Sequence, residues 1–261
     1  MTQSESYRFT NRTEAGRLLA SALTTYANRA DVVVLALPRG GVPVAFEIAR
    51  VLNVPMGVCI VRKLGVPGQR ELAMGAIASG GVQVLNSDVL DRIDISPEKL
   101  NQVIQREQQE LSRRENLYHF VQAPVPPNAS AETDAPPAAD TAAQTHLSLS
   151  HQDEEGDRLS FQPSISVKQR VVIVVDDGIA TGSTLRAAVL CLQQQQPQRI
   201  VVAVPVASPM ACHALRHEVD EVVCLMTPSN LSAIGNWYDD FEQVSDDEVC
   251  TLLNAISSSY E

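Results

Sequence analysis

The chain has 261 residues and a formal net charge of −11, which is enough length for one large or two small domains. No apolar run approaches the roughly 20 residues that span a bilayer, and no basic stripe favours nucleic acid as a partner. The first residues lack the basic-then-apolar plan of a signal peptide, and the five cysteines show no disulfide spacing. We therefore expect a cytoplasmic protein with reduced thiols that binds neither membranes nor nucleic acid.

The N-terminal part predicts a helix, a buried strand and a second helix. Residues 11–14, Asn-Arg-Thr-Glu, have the spacing of a capping box, and apolar residues follow at helical period as far as Tyr26. Val32–Leu37 is uniformly apolar, which is typical of a strand buried on both faces of a parallel sheet. Residues 42–52 predict a helix with a proline in its first turn.

Arg39, Gly40 and Gly41 form a turn between this strand and the second helix. Paired glycines allow successive backbone amides to face one ligand as an anion-binding nest, and the arginine fork adds charge-assisted hydrogen bonds. The turn is therefore a candidate anion site. An ordinary strand–helix turn with a surface arginine is the alternative.

A strand and a glycine-rich stretch come next. Met56–Val61 is typical of a strand that delivers Arg62 and Lys63 at its end. Residues 64–81 mix glycine, charge and small apolar residues. Residues 82–85 predict another strand.

A long polar helix and a segment without periodicity follow. Ser-Pro-Glu at 96–98 predicts a helix start, and the helix is expected to run to about Tyr118. Residues 122–166 contain six prolines, eight alanines and an excess of acids, a composition that cannot bury enough apolar surface to order itself. We expect a disordered insertion within a single domain formed by residues 1–121 and 167–261, because strands on both sides are needed for one sheet.

Residues 171–184 carry the strongest functional signal. Five β-branched residues, Val171–Val175, predict a strand buried on both faces, and Asp176 and Asp177 follow where it leaves the sheet. Small and hydroxyl residues then lead into a helix at 185–192; they are Gly178, Ala180, Thr181, Gly182, Ser183 and Thr184. Free amides at a helix start favour a phosphate, whereas the carboxylates favour vicinal hydroxyls or a magnesium ion bridging to them. The expected ligand is anionic at one end and polyhydroxylated beside it.

An ordinary turn explains one aspartate and one glycine of this segment, but not its other hydroxyl residues. A nucleotide P-loop requires a lysine where Ser183 stands, and the dinucleotide glycine pattern is absent. The segment closely resembles the phosphoribosyl diphosphate (PRPP) loop of type I phosphoribosyltransferases. The resemblance implies that Asp176 and Asp177 hold the ribose hydroxyls, and that residues 180–184 hold the 5-phosphate.

Five segments, in the same order, are similar to a bacterial group of phosphoribosyltransferases whose acceptor is generally unassigned. They are Leu37–Ala45, Val61–Gly65, Glu71–Ala76, Val175–Gly182 and Gly235–Phe241. The resemblance implies an α/β fold like that of type I phosphoribosyltransferases, with a parallel sheet, helices on both faces and a small C-terminal hood. It also implies a homodimer that uses Mg²⁺, PRPP and an acceptor.

The same resemblance implies individual roles. Arg39, Gly40 and Gly41 would face the leaving diphosphate. Residues 64–81 would form a mobile arm that folds over PRPP, with 82–85 as its return strand, and Arg62 and Lys63 would supply cations to it. Ala180 stands where hypoxanthine-guanine-type members have a third aspartate, so the loop is more similar to adenine- or orotate-type members. The residues implied in catalysis are Arg39, Lys63, Asp176 and Asp177, with the two aspartates as metal ligands.

The C-terminal part predicts two more strands, a hood and helices. The strands are expected at residues 199–206 and 221–226, and helices at 209–217 and 246–257. His213 and His217 lack a third ligand at metal spacing and are expected to be surface residues. In the hood, residues 227–244, Trp237 and Tyr238 either stack on a planar base or form a small hydrophobic cap.

The predicted function is therefore transfer of ribose 5-phosphate from PRPP to an acceptor, expected to be a nitrogenous base, with release of pyrophosphate. The alternative is a regulator that senses PRPP or a nucleotide and retains the fold without turnover. The missing acid at Ala180 and the unplaced base pocket keep that alternative open. A hydrolase acting on a ribose phosphate is a weaker third hypothesis.

Overall fold

The computed structural model describes residues 7–79, 81–93, 95–119 and 165–258. Nearly all of the insertion predicted at 122–166 lies outside these ranges. The described strands are β1 Val32–Ala36, β2 Met56–Val58, β3 Val61–Val66, β4 Gln69–Ala78, β5 Val82–Leu85, β6 Val171–Val175, β7 Arg199–Val206 and β8 Glu221–Met226. The described α-helices are α1 Arg12–Ala22, α2 Gly41–Leu52, α3 Ser87–Leu90, α4 Pro97–His119, α5 Ser183–Gln193, α6 Pro209–Leu215 and α7 Asp246–Ser257.

The central sheet is parallel throughout, with strand order β2-β1-β6-β7-β8. Its strands alternate their side chains between two cores, because successive residues of a strand point to opposite faces. Val32, Val34 and Ile173 face α1, α2, α4 and α7, whereas Val33 and Val172 face α5 and α6. The predicted parallel α/β sheet with helices on both faces is therefore confirmed.

Strands β1 and β6 are direct neighbours, with Val34 paired to Ile173, although the undescribed stretch lies between them in the chain. Both strands are completely buried, as their uniformly apolar sequences predict. Among the described residues, none of the helices is both long and apolar enough to cross a bilayer. All five cysteines are free thiols, and His213 and His217 lie exposed at the surface.

The predicted strand at 56–61 and its arm are built differently in the structure. β2 ends at Val58, and the chain then enters a separate antiparallel sheet of order β3-β4-β5. Arg62 and Lys63 lie within β3 instead of at the end of a strand of the central sheet. Ala76 and Ala78 of β4 pack against Ala187 and Cys191 of α5, where small side chains allow close approach. The predicted arm is thus an antiparallel sheet docked on α5, and its predicted return strand at residues 82–85 is β5.

Arg62 fixes this small sheet to α4. Its Nη2 and Nε lie 2.6 and 3.0 Å from Oε2 of Glu107, which is buried, and Arg106 binds Oε1 of the same carboxylate at 2.8 Å. Burial alone would raise the pKa of Glu107, but the two arginines hold that pKa below its usual value. The arm cation expected at Arg62 is therefore engaged in packing.

Replacing Glu107 with Gln should lower the free energy of unfolding by about 1–3 kcal/mol, because the buried carboxylate loses charge-assisted bonds. Because the pKa of Glu107 is lowered in the folded protein, its carboxylate contributes fully to stability only above its unfolded-state pKa, near 4.5. That stabilisation is lost as the pH falls below this value. Urea titrations of both proteins should therefore converge on acidification. Glu110→Gln, whose more accessible carboxylate pairs with arginines of α4 itself, is the matched control. An equal loss of stability in Glu110→Gln would contradict the assignment of Glu107 as the buried contact between the small sheet and α4.

The predicted hood is joined to the N-terminal segment. Phe9 pairs with Tyr238 through a bridge in which its N–H donates to Trp237 O at 2.9 Å and its carbonyl accepts from the N–H of Asp239 at 2.8 Å. The ring of Phe9 is fully buried against Tyr238, with centroids 5.4 Å apart. Both chain segments therefore reach the carboxyl end of the central sheet together.

Candidate functional site

A cleft of about 240 Å³ opens at the carboxyl end of β6. It is lined by Asp176 to Leu185, together with Ile234 from the hood. The chain reverses its direction across the sheet between β1 and β6, and α2 and α5 then leave on opposite faces. Ligands of open α/β sheets bind at such switch points, outside the carboxyl ends of the strands.

The loop before α5 presents the start of that helix to the cleft. Gly182 has φ of +77°, a left-handed conformation that glycine adopts without steric cost, and α5 begins at the next residue. The hydroxyls of Thr181 and Ser183 lie 3.3 Å apart at this end. Amides of the first turn lack helical partners and carry positive partial charge, so this is a suitable phosphate site.

Ser208, which the sequence analysis did not single out, lies between β7 and α6 and holds the loop in place. Its hydroxyl donates to the carbonyl of Ala180 at 2.7 Å, and its backbone N–H donates to Ile179 O at 2.9 Å. The N–H of Ile179 in turn donates to Val206 O at 2.9 Å. The loop is held from the side of β7, and Ala180 and Thr181 are exposed.

Lys63 reaches this loop from the small sheet. Its Nζ lies 3.4 Å from Oγ of Ser183, at the first residue of α5. Adjacent residues of a strand face opposite sides, so the docking of Arg62 on α4 directs Lys63 towards α5. The structure therefore brings a cation, a helix start and two hydroxyls to one point.

Asp176 and Asp177 lie side by side at the end of β6. The N–H of Asp177 donates to Oδ1 of Asp176 at 2.9 Å, and both side chains are only partly accessible. Burial raises the pKa of Asp176, and the neighbouring charge of Asp177 raises it further. Placing two carboxylates here is costly unless a ligand or a cation compensates them.

Arg12 supplies that cation for Asp177, and sequence analysis missed it. Its Nε and Nη2 both lie 2.9 Å from Oδ2 of Asp177, and the two side chains are about equally buried. Arg12 is the first residue of α1. A cation is unfavourable at the N-terminus of a helix, which already carries positive partial charge. The position of Arg12 there was the one signal in the sequence that its charge has a partner outside α1.

The turn after β1 packs directly on the acidic pair. A Cβ on Gly40 would overlap Oδ2 of Asp177, and one on Gly41 would lie 2.6 Å from Val175 O. The glycines are thus required for close approach. The N–H of Gly41 donates to Leu37 O at 3.1 Å, so only part of the predicted nest is available to a ligand.

Arg39 is placed away from the lining of the cleft. The peptide bond between Pro38 and Arg39 is cis. The guanidinium is partly exposed and lies 4.0 Å from Oδ1 of Asp246, at the start of α7. The structure therefore brings the backbone of this turn to the acidic pair, whereas the arginine side chain faces α7.

For Tyr238, the structure favours the cap over the base-stacking alternative. The ring of Tyr238 is buried between the rings of Phe9 and Phe241, and its centroid lies 4.9 Å from that of Phe241. The hydroxyl of Tyr238 donates to Asp177 O at 2.6 Å. Burial raises the pKa of this phenol far above its usual value. Trp237 is only half-buried and packs at the edge of the same cluster.

The acidic pair fits a magnesium ion only if the ligand shares in holding it. Within the described ranges, no group of three or more acidic, histidine or cysteine residues forms a cage for a metal. Mg²⁺ commonly takes one or two carboxylates and completes its shell with water and substrate phosphates. Asp176 and Asp177 provide such a partial set, and one oxygen of Asp177 is already bound by Arg12.

The chain resembles known proteins over most of its length. The family model of the phosphoribosyl transferase domain matches residues 122–236, which include β6, the acidic pair and the loop. Two Mycobacterium tuberculosis proteins, MT0597 and Rv0571c, whose names assign them to the phosphoribosyl transferases, are each 37% identical over 94% of this chain. The chain belongs to the phosphoribosyltransferase family. This confirms the resemblance seen in its motifs.

The solved structure of the protein TT1426 from Thermus thermophilus extends the similarity to the fold of nearly the whole chain. It is 36% identical, covers 96% of this chain and 99% of its own, and superposes with a TM-score of 0.74. The chain spans 46% of the length of each mycobacterial relative. Sequence similarity is thus shared with relatives of different total length, and the fold is shared with TT1426.

Replacing Gly40 with Ala should displace the Asp177 side chain, because the new Cβ would occupy the space of Oδ2. Overpacking of this kind costs about 1–3 kcal/mol. We expect a lower melting temperature, measured by calorimetry. Gly57→Ala is the control, since the nearest atom to its Cβ would be the flexible end of Ile165 at 3.1 Å, and Leu35 Cδ2 at 3.6 Å would be in ordinary contact. A Gly40→Ala protein as stable as the wild type would show that the turn has more room for a side chain than the structure indicates.

Proposed function

We propose that the protein binds PRPP and transfers its ribose 5-phosphate to an acceptor, with release of pyrophosphate. One observation carries the proposal. The start of α5 and the two aspartates line a single cleft, and Lys63 contacts Ser183 of that lining, so a phosphate subsite adjoins an acidic subsite. A sugar phosphate has this same polarity along its length.

The 5-phosphate is assigned to the loop at residues 180–184. Its members are Ala180, Thr181, Gly182, Ser183 and Thr184. The amides of the first turn of α5 and the nearby hydroxyls can donate to phosphate oxygens, and Lys63 adds a full positive charge. Sugar hydroxyls would then fall beside Asp176 and Asp177, whose carboxylates accept hydrogen bonds.

In the proposed reaction, the bond from C1 of ribose to the diphosphate oxygen breaks, and a bond from C1 to an acceptor nitrogen forms. The bonding pair leaves with pyrophosphate, and the acceptor proton goes to solvent. Positive charge develops on the ribosyl ring and negative charge on the leaving group. Cations held in place stabilise that leaving group. Lys63, which contacts Ser183, and Arg39, which lies near Asp246, would both have to turn towards that leaving group.

Magnesium held by Asp176, Asp177 and the ligand would offset the diphosphate charge. The protein's own part is to orient the sugar and to hold the loop. Trp237, half-buried in the hood, remains the aromatic candidate for contact with an acceptor base. The homodimer and the cytoplasmic location remain predictions.

The sensing alternative is favoured by one observation. Among the described residues that line the cleft, the only titratable side chains besides hydroxyls are the two aspartates. That lining therefore offers no separate base to accept a proton from an acceptor. A regulator that binds PRPP without turnover would need no such group.

Pyrophosphate release from magnesium-PRPP, measured with a panel of purines and pyrimidines, separates the two functions. Release that depends on one acceptor supports the transferase. Tight PRPP binding without release with any acceptor supports the sensor. A protein that neither binds PRPP nor releases pyrophosphate would contradict both.

Changing Asp176 and Asp177 together to Asn should abolish PRPP binding in calorimetric titrations, because both carboxylate charges that face the sugar and the metal are lost. Asp91→Asn, an exposed position in a turn after α3, is the matched control and should bind as the wild type does. Unchanged affinity in the double variant would move the sugar site away from β6.

Replacing Lys63 with Met should weaken the binding of ribose 5-phosphate by roughly 10- to 100-fold, the range for loss of a charge-assisted contact. The methionine preserves most of the length of the side chain within the small sheet. Lys168→Met, at an exposed position before β6, is the control. Equal affinities for the two variants would show that the phosphate does not sit at the start of α5.

A further inference from the structure

We propose that Arg12 is a positioning residue that fixes Asp177, so that Asp176 is the carboxylate with the main contact to the sugar. This inference rests on the proposed function and assigns different tasks to the two members of the acidic pair. It concerns a residue of α1, outside the segment matched by the family model.

The two carboxylates have different surroundings. Oδ2 of Asp177 accepts from both Nε and Nη2 of Arg12, and the same oxygen lies against Gly40 of the turn after β1. Asp176 accepts from the backbone N–H of its neighbour through Oδ1. Asp177 is therefore held by distant parts of the protein on the side of Oδ2, whereas Asp176 is oriented by the backbone next to it.

Arg12 is itself fixed by the hood. Its guanidinium lies 3.8 Å from the ring centroid of Phe241, and its Nη1 donates to Glu242 O at 2.8 Å. Phe241 stacks on Tyr238, with ring planes 30° apart, and the hydroxyl of Tyr238 donates to Asp177 O. Arg12, Asp177, Tyr238 and Phe241 thus form a closed ring of contacts among α1, β6 and the hood.

This ring explains why the arginine supports the site instead of blocking it. Arg12 binds the oxygen of Asp177 that is packed on Gly40, and the lining of the cleft includes both aspartates but not Arg12. Arg12 also compensates the negative charge of one of the two aspartates, which reduces their repulsion of the nearby phosphate. A planar guanidinium suits this position, because it binds a carboxylate oxygen and stacks on an aromatic ring together.

The test is a double-mutant cycle on the full chain, with ribose 5-phosphate as the probe and affinity measured by calorimetry. Arg12→Gln alone should weaken binding by about 10- to 100-fold, the range for residues that orient a ligating group. Asp177→Asn alone should have a similar effect, and the double variant should bind no more weakly than Asp177→Asn. Asp176→Asn should lose the most affinity.

Two controls separate positioning from folding. Arg17→Gln removes another arginine of α1, which pairs with Glu47 at 3.1 Å, and should leave affinity unchanged. Arg12→Lys retains the charge without the planar fork and should recover part of the affinity. Thermal melts identify any variant that is not folded, and Arg12→Lys then carries the comparison with the wild type.

Wild-type affinity in Arg12→Gln, tighter binding in that variant, or additive losses in the cycle would each overturn the inference while leaving the proposed function intact. Equal losses in Asp176→Asn and Asp177→Asn would overturn the division of tasks. A wild-type protein that binds neither ribose 5-phosphate nor PRPP would remove the proposed function and this inference together.

Discussion

The site depends on keeping two adjacent carboxylates at the end of a buried strand. An uncompensated buried charge is costly, and two of them also repel each other. The structure answers with Arg12 on one oxygen of Asp177, a backbone N–H on Asp176, and a cleft that leaves both partly accessible. Helix α1, the glycine turn after β1 and the hood all converge on this point, so the surroundings of one charge pair account for much of the local packing.

The small sheet solves a different problem, which is to bring a flexible cation to a defined place. Lysine has a long side chain with many conformers, and its usefulness in a site depends on a rigid base. Strand β3 is fixed on one face by the buried carboxylate of Glu107 and on the other by α5. Lys63 therefore extends from a backbone that is held on both sides.

Much of the framework was predictable because local signals agree with the fold. The boundaries of β6, β7, β8 and α7 follow from apolar runs and caps, such as Ser245, whose hydroxyl accepts from the N–H of Glu248. The loop before α5 was predictable from its residue types alone. These features depend on neighbours in sequence, where pattern reasoning is strongest.

The contacts that were missed join distant parts of the chain. Arg12 meets Asp177 and Arg62 meets Glu107, at separations of 165 and 45 residues, and Phe9 pairs with Tyr238 from the opposite end of the sequence. A surface arginine and a site arginine look alike in one sequence, so neither the partner of Arg12 nor that of Arg62 could be identified. The docking of the arm on α5 was not predicted for a similar reason, since its small residues are as suitable for packing on a helix as for a free loop.

The adjacency of β1 and β6 has a consequence for how the chain acquires its structure. During synthesis β1 emerges long before β6, its neighbour in the sheet. Until β6 has been made, one edge of the apolar strand β1 has no partner strand for its backbone hydrogen bonds. Pairings so remote in sequence slow the search for the native state and prolong the exposure of aggregation-prone intermediates. The ribosome must therefore have released the chain as far as β6 before the centre of the sheet can close.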